Sequence, residues 1–187
     1  MATVATRGSY FEAGLDILSD QGFGGLKLAE VCSRLGVTTG SFYHYFPNWS
    51  AYTRDLVQYW MQDRTLRLAA VFRAESDPRK RMPMIIQEVL SLPHNAEAAI
   101  RAWSSIDPEV HAVQCEVDQQ RFSVCYDYAM EIVGEPRQAE VFAQWAVFTL
   151  LGYEQTTLPR NPQVYEWISA QILDLLESGR FASVPPQ

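Results

Sequence analysis

Apolar residues recur along this chain at intervals of three and four, the spacing that gives a helix one apolar face. In a first predicted helix over residues 4–20, the repeating positions are Phe11, Leu15 and Leu18. In a short second helix, the positions at i, i+3, i+4 and i+7 are Leu28, Val31, Cys32 and Leu35. No stretch is a convincing strand. The pattern therefore predicts an all-α protein.

Prolines, glycines and capping residues divide the chain into about nine helices. The third is the segment TGSFYHYF, which Thr38 precedes as N-cap and Pro47 stops. The remaining six are expected over residues 49–74, 78–93, 95–103, 107–133, 136–156 and 163–178. We expect two domains, a small helical unit of residues 1–48 and a larger helical domain of residues 49–187.

The composition is that of a soluble, cytoplasmic protein. Hydrophobic residues make up 48% of the 187 residues, which is enough for a substantial core. No apolar run reaches the roughly 20 residues that cross a bilayer, and the N-terminus lacks the apolar core of a signal peptide. We therefore expect no membrane association.

Catalytic and metal chemistry find no support in the sequence. It shows no nucleophile–base pair, telling carboxylate pair, glycine-rich phosphate loop or metal motif, and His94 and His111 are too far apart to suggest a metal site. The three cysteines are expected to be buried small apolar residues, with a redox sensor built on Cys115 and Cys125 as the alternative. We expect no enzyme, no cofactor and no metal.

Residues 28–46 have the pattern of a helix-turn-helix unit, in which LGVT joins two short helices. Gly36 can adopt the left-handed turn conformation at low cost, and Val37 can fill the space between the helices. The second helix is short and rich in polar and aromatic side chains, as a helix that enters the major groove requires. The segment therefore predicts a DNA-binding unit.

Most side chains of the second of these helices are candidates for DNA contact. Phe42 and Phe46, four residues apart, are expected to face inward. Hydroxyl groups can bind phosphates and set the register, whereas base reading is assigned to Thr39, Gly40 and Tyr45. The predicted DNA-binding residues are Lys27, Thr38, Thr39, Gly40, Ser41, Tyr43, His44 and Tyr45.

The segment ILSDQGFGGLKLAEVCSRLGVTTGSFYHYF resembles the signature of TetR-type regulators. In that family, Gly-Val-x-x-Gly-x-hydrophobic-Tyr-x-aromatic-Phe spans the recognition helix. The chain supplies this pattern with Gly36, Val37, Gly40, Ser41, Phe42, Tyr43, Tyr45 and Phe46. The resemblance is strong over residues 8–56 and weaker beyond. It implies a homodimer joined through the last two helices, an effector cavity among the middle helices and a palindromic operator on double-stranded DNA.

Several positions depart from the family pattern. Lys27 stands where a serine or threonine usually caps the second helix, and Gly14 stands where alanine is usual. Thr39 and Trp49 occupy positions that are often lysine. Residues 1–56 hold four basic and five acidic residues, and the whole chain has a net charge of −7. Because phosphate contacts dominate DNA affinity, we expect modest affinity with a shallow salt dependence.

The second domain is rich in aromatic residues, which can belong to its core or line a cavity for an apolar or aromatic effector. The predicted ligand-binding residues are Trp103, Phe122, Tyr126, Trp145 and Phe148. Polar candidates near them are Glu116, Gln119 and Gln144. We expect these helices to surround the centre of the domain.

The last two helices are candidates for the dimer interface, because two from each subunit can form a four-helix bundle. The apolar face of the first comprises Ala143, Ala146, Val147, Leu150 and Leu151. That of the second comprises Ile168, Ile172 and Leu175. The alternative for both faces is ordinary packing within one chain.

Together these features predict a DNA-binding transcriptional regulator that a small-molecule effector releases from a palindromic operator. Repression is the commoner outcome that the resemblance implies. The alternative is a ligand- or protein-binding module of the same fold with weak or lost DNA binding, which the low charge of the first 56 residues keeps open.

Overall fold

The computed structural model describes residues 5–185, apart from the side chains of Pro78 and Arg79. Across this described range the chain is helical and contains no strand. The helices are α1 (Arg7–Gln21), α2 (Leu28–Leu35), α3 (Thr39–Tyr45), α4 (Trp49–Met61), α5 (Arg67–Ala74), α6 (Pro78–Ser91), α7 (His94–Ser104), α8 (Pro108–Val133), α9 (Pro136–Gln155) and α10 (Pro162–Glu177). The all-α prediction is confirmed. The fourth predicted helix comprises α4 and α5, joined by a π-helical turn at Gln62–Leu66.

Side-chain caps fix several helix starts. Thr6 and Ser9 form a reciprocal capping box at α1, so this helix begins three residues later than its apolar pattern suggested. Asn48 accepts a hydrogen bond from the backbone N–H of Ala51 at α4, and Asn161 caps α10 in the same way. None of the described helices combines the length and apolarity that a membrane crossing needs.

The packing divides the chain into two compact units. The first comprises the residues up to 64 together with 93–116, and the second comprises 65–92 and the residues from 117 onward. The three unit boundaries fall in the π-helical turn after α4, between α6 and α7, and inside α8. The expected division into domains of residues 1–48 and 49–187 stays a prediction.

The first unit is built around α1, which contacts α2, α4 and α7. Tyr10, Ile17 and Leu18 are buried on this helix because its apolar stripe faces three neighbours. On α4, the indole N–H of the buried Trp60 donates a hydrogen bond of 2.6 Å to Glu97 on α7. This polar pair satisfies two groups that would otherwise be costly to bury.

The core of the second unit draws on several of its helices. Phe72, Tyr128, Phe142 and Leu176 are buried in one cluster, which the C-terminal Phe181 joins. α10 contacts both α6 and α9 within this unit. One face of each of these helices is therefore already covered by its own chain.

Candidate nucleic-acid interface

The turn between α2 and α3 has the backbone conformation that its sequence predicts. Gly36 has φ +65° and ψ 33°, in the left-handed region, where a side chain would be strained. The N–H groups of Gly36 and Val37 donate to the carbonyls of Ser33 and Cys32 and close the end of α2. The Thr38 hydroxyl then accepts a hydrogen bond from the backbone N–H of Ser41 and caps α3. The helix-turn-helix geometry therefore follows from local sequence.

The inner face of α3 packs into an aromatic cluster. Phe42 and Phe46 are fully buried, which confirms their predicted inward orientation. Tyr10 on α1 contacts both rings edge-on, with centroid distances of 5.8 and 5.6 Å. Trp49 and Tyr52 on α4 lie 5.9 and 5.3 Å from the Phe42 ring. α3 is thus held against two helices, so its outer face has a defined orientation.

The outer face of α3 presents most of the predicted DNA-binding residues to solvent. Thr38, Thr39, Gly40 and His44 are exposed, and 54% of Tyr43 is accessible. A Cβ on Gly40 would meet no atom closer than 3.6 Å, so nothing in the protein itself requires a glycine here. The exposed Gly40 leaves the backbone open to close approach by a partner molecule.

Comparison with known proteins shows which proteins the helix-turn-helix segment resembles. Residues 11–49 match the sequence model of the bacterial regulatory proteins of the tetR family. This segment is therefore similar to the DNA-binding domain of TetR-family transcriptional regulators. Regulators of this family bind DNA and small-molecule effectors, usually as dimers. Among curated protein sequences, none matches this chain.

Solved structures share the fold over nearly the whole chain. A transcriptional regulator from Rhodococcus sp. Rha1 is similar with a TM-score of 0.76 and 18% identity, covering 94% of this chain and 97% of that one. NemR from E. coli, in its reduced form, gives a TM-score of 0.70 at 20% identity, covering 91% and 96%. A regulator from Saccharomonospora viridis in complex with choline gives 0.72 at 12%, covering 91% and 95%. At these identities the likeness shows the TetR-type fold.

Two hydroxyl groups of α3 are engaged within the protein. Ser41 Oγ accepts a hydrogen bond of 2.9 Å from the Tyr10 hydroxyl, and the Tyr45 hydroxyl donates to the carbonyl of Ala5. Tyr45 is half-buried against Tyr10, a departure from its expected outward orientation. The reason is helical geometry, because Tyr45 lies three residues after the buried Phe42 and shares its side of the helix. DNA contact by Ser41 and Tyr45 stays a prediction.

The positive charges on and around the helix-turn-helix unit are largely neutralised. Arg7 pairs with Asp55 and lies over the Phe46 ring, and Arg34 pairs with Asp20 at 2.8 Å. Lys27 is exposed, and within the described part of the chain no carboxylate lies within ion-pair distance of it. Lys27 begins α2 without a side-chain cap, as its identity predicts. Little positive potential is therefore left for phosphates, in line with the expected modest affinity.

Three of the five predicted ligand-binding residues line the two described cavities. Phe122 and Tyr126 stack at 5.9 Å, are half-buried, and line a cavity of about 710 Å³ in the second unit. Trp103 belongs to the first unit, where it is buried, stacks on Phe23 at 4.5 Å and lines a cavity of about 360 Å³. Of the polar candidates, Glu116 lines this smaller cavity.

The expected placement of Trp145 and Phe148 around a domain centre is corrected by the structure. Trp145 is 43% exposed and Phe148 is 64% exposed on α9. The same helix turns Phe142, Val147 and Leu150 into the core, so the two aromatic side chains occupy its opposite face. Neither residue is among those that line the two cavities described above.

The predicted interface faces of α9 and α10 are also corrected in part. The residues buried within their own chain are Ala143, Val147, Leu150 and Ile172. The exposed large apolar residues of this region, from α9 to α10, are Trp145, Phe148, Leu158, Val164, Trp167 and Ile168, here called the α9–α10 apolar surface. Of these, the sequence pattern had assigned Ile168 to the interface. A second apolar stripe at three- and four-residue spacing was the signal for Trp145, Phe148, Val164 and Trp167, whereas Leu158 lies between the two helices.

Proposed function

We propose that this TetR-family regulator is a repressor that binds a palindromic operator as a homodimer and is released by a small-molecule effector. The observation that carries the proposal is the exposed outer face of α3, fixed by the buried rings of Phe42 and Phe46. In this proposal the protein binds DNA and an effector rather than catalysing a reaction, and it acts in the cytoplasm. Residues 1–48 form the DNA-binding domain, and residues 49–187 form the sensor and dimerisation domain.

Tyr43 is the central DNA contact of the proposal. Its side chain is the most exposed large apolar group of α3, and its ring touches Phe42 edge-on at 5.4 Å, which restrains its direction. Thr38, Thr39 and His44 flank it on the exposed surface, and Lys27 adds one exposed positive charge. Hydroxyl groups in this arrangement suit phosphates, and the Thr39 methyl suits a thymine methyl.

The α9–α10 apolar surface supports the homodimer. Large apolar groups grouped on one part of a soluble protein mark an interaction site, and identical copies satisfy it by isologous pairing. Two recognition helices related by a two-fold axis would then meet half-sites about 34–36 Å apart. The two-fold symmetry of such a dimer calls for a palindromic operator.

The cavity beside Phe122 and Tyr126 is the proposed effector site of the sensor. Its volume lies in the range of small-molecule sites, and its stacked aromatic pair suits an apolar or aromatic ligand. Effector binding would favour a dimer whose recognition helices have the wrong spacing. The effector can produce such a shift only if it binds one form of the dimer more tightly than the other.

A second candidate function is a TetR-type ligand- or protein-binding module with weak or lost DNA binding. The pairing of Arg7 with Asp55 and of Arg34 with Asp20 favours it, because both remove charge from the reader. These exposed pairs are weak, and phosphate could compete for either arginine.

Selection of bound sequences from a random DNA pool at low salt tests the proposal against this alternative. The wild-type protein should enrich a palindrome, and Tyr43→Ala should lose the enrichment while remaining folded and dimeric. Val71→Ala is a matched control, since it truncates another exposed apolar side chain, on α5. Enrichment of no sequence by the wild type would reject the repressor and leave the binding module.

A further inference from the structure

A second cavity lies within the unit that contains the DNA-binding domain, between α4, the end of α7 and the first turns of α8. Its volume is about 360 Å³, at the lower end of the range for small-molecule sites. The apolar part of its lining comprises Val57, Trp103, Ala112, Val110 and Val113. The cavity can therefore desolvate the body of a small organic molecule.

The charged residues that line this cavity are mainly acidic. Asp107, Glu109 and Glu116 face a single basic residue, Arg54. Asp107 is committed to the fold, because it accepts hydrogen bonds from the Trp103 indole N–H at 3.2 Å and from the backbone N–H of Glu109 at 3.0 Å. Glu109 and Glu116 are the carboxylates left to act on a ligand.

These two carboxylates differ in their present partners. Glu109 accepts a hydrogen bond of 3.3 Å from Arg54 Nε, which links α8 to α4 across the lining of the cavity. Both side chains of this pair are more than half exposed, so the pair is easily exchanged. Glu116 makes no hydrogen bond or ion pair within the part of the chain that the structure describes. One carboxylate is free, and the other can be released by displacing Arg54.

A metal ion does not fit this arrangement. Among the described residues, no three aspartate, glutamate, histidine or cysteine side chains lie close enough together to hold one. A positively charged group on an apolar molecule can pair with the dispersed carboxylates while the rest of the molecule contacts the apolar lining. The chemistry that matches the cavity is therefore that of an organic cation.

We propose that this cavity binds a small organic amine in its protonated form, with its apolar body beside Trp103 and its ammonium group paired with Glu116. The ammonium group also competes with Arg54 for Glu109. The site is distinct from the Phe122–Tyr126 cavity in its position and in the charge of its ligand.

Occupation of the cavity acts on the recognition helix through α4. Arg54 lies two residues after Tyr52, whose ring is 5.3 Å from Phe42 on the inner face of α3. Trp49, one turn earlier, lies 4.9 Å from Tyr52 and also contacts Phe42. Arg54 points to a different side of α4 from Tyr52, so a ligand that releases Arg54 removes a link between α8 and the helix whose other side supports α3. This consequence rests on the proposed DNA-binding function, whereas the binding site itself does not.

Isothermal titration of the full-length protein with benzylamine and benzyl alcohol at pH 7 tests the site. The two probes have similar size, and one is charged. Benzylamine should bind at least tenfold more tightly. Glu116→Gln should weaken benzylamine binding by about tenfold, or about 1.4 kcal/mol, and leave benzyl alcohol unchanged. Arg54→Gln should tighten benzylamine binding, because Glu109 then has no competing cation.

Glu88→Gln is the matched control, since it removes an exposed carboxylate on α6 and should change neither affinity. Equal affinity for the two probes, an unchanged benzylamine affinity in Glu116→Gln, or no binding of either probe would overturn the proposal. Circular dichroism verifies that each variant is folded. These titrations contain no DNA, so their result is independent of whether the protein is a repressor.

A DNA-retention assay then tests the coupling. Benzylamine should release DNA from the wild type at concentrations that saturate the cavity, and about tenfold more should be needed with Glu116→Gln. Binding of benzylamine without release would overturn the coupling to α3 and leave the site in place.

Discussion

A Cβ atom on Gly14 would lie 2.2 Å from the hydroxyl oxygen of Tyr52 and 2.9 Å from a methyl carbon of Leu56. The Tyr52 hydroxyl is buried and donates a hydrogen bond of 2.8 Å to the carbonyl of Tyr10. TetR-type regulators usually have alanine at the position of Gly14. Here the glycine leaves the space that the Tyr52 hydroxyl on the facing helix occupies. The pair sets the distance between α1 and α4, which together hold α3.

Gly14→Ala should lower the free energy of unfolding by about 1–3 kcal/mol, because overpacking outweighs the better helix propensity of alanine. Tyr52→Phe alone should cost about 0.5–1.5 kcal/mol through its lost hydrogen bond. The double variant should be less destabilised than the sum of the two, since the hydroxyl that clashes is gone. Urea unfolding of the four proteins measures this coupling, and simple additivity would contradict it.

Lys27 should account for a measurable part of a shallow salt dependence. Wild-type affinity for its operator should fall gently with salt, and Lys27→Gln should reduce the slope of log K against log salt by about one. Arg34→Gln should leave the slope nearly unchanged, because Asp20 and Glu30 already neutralise this arginine. A steep wild-type slope, or equal effects of the two variants, would show that the ion pairs open on DNA.

Local features of the helix-turn-helix unit could be predicted from the sequence because they depend on residues that are close together in the chain. Gly36 and Val37 fix the turn, and the spacing of Phe42 and Phe46 fixes the inner face of α3. The Arg7–Asp55 ion pair joins residues 48 positions apart, so the availability of Arg7 to DNA could not be judged before the fold was known.

The faces of α9 show a different limit of sequence reasoning. Both the stripe with Val147 and the stripe with Phe148 are apolar at helical spacing, and a chain core and a partner subunit favour the same side chains. Periodicity locates both stripes without saying which one faces the core. The structure buries Val147 and exposes Phe148, so the large aromatic side chains are on the face that is free to meet a partner.

Charged substitutions on the α9–α10 apolar surface should dissociate the dimer. Phe148→Glu and Trp167→Glu, each at a residue 64% exposed in the single chain, would place an unpaired charge in a desolvated interface. Sedimentation velocity should show monomers, and DNA retention should fall with them. Val71→Glu, at an exposed apolar residue on α5, should remain dimeric. A dimer that survives both substitutions would locate the interface elsewhere.

The cysteines of α8 should react independently rather than as a redox pair. Cys115 and Cys125 are ten residues apart in one helix, so their Cα atoms are about 15 Å apart by the helical rise. A disulfide requires less than about 7 Å, which excludes the expected alternative of a sensor that bridges these two residues within one chain.

Native protein at pH 8 should therefore incorporate one equivalent of iodoacetamide quickly, at the exposed Cys115, which lies 3.5 Å from the imidazole of His111. Cys125 is half-buried, and desolvation raises the pKa of its thiol to about 12, whereas Cys32 is buried, so both thiols should react slowly until the protein unfolds. Cys115→Ser should abolish the fast phase, whereas rapid labelling of a second thiol would contradict the packing of α8.

Alkaline pH should destabilise the protein through its buried tyrosines. Burial raises the pKa of Tyr52, Tyr128 and Tyr165 above the ordinary value near 10, at which tyrosines ionise in the unfolded chain. Above that pH the unfolded state releases protons that the folded state retains. The stabilisation that these tyrosines contribute is therefore complete below a pH of about 10 and is lost as the pH rises. The urea midpoint should fall between pH 9 and 11. Tyr52→Phe should show a smaller fall than the wild type, and parallel pH profiles for the two proteins would mean that the Tyr52 hydroxyl ionises freely in the folded state.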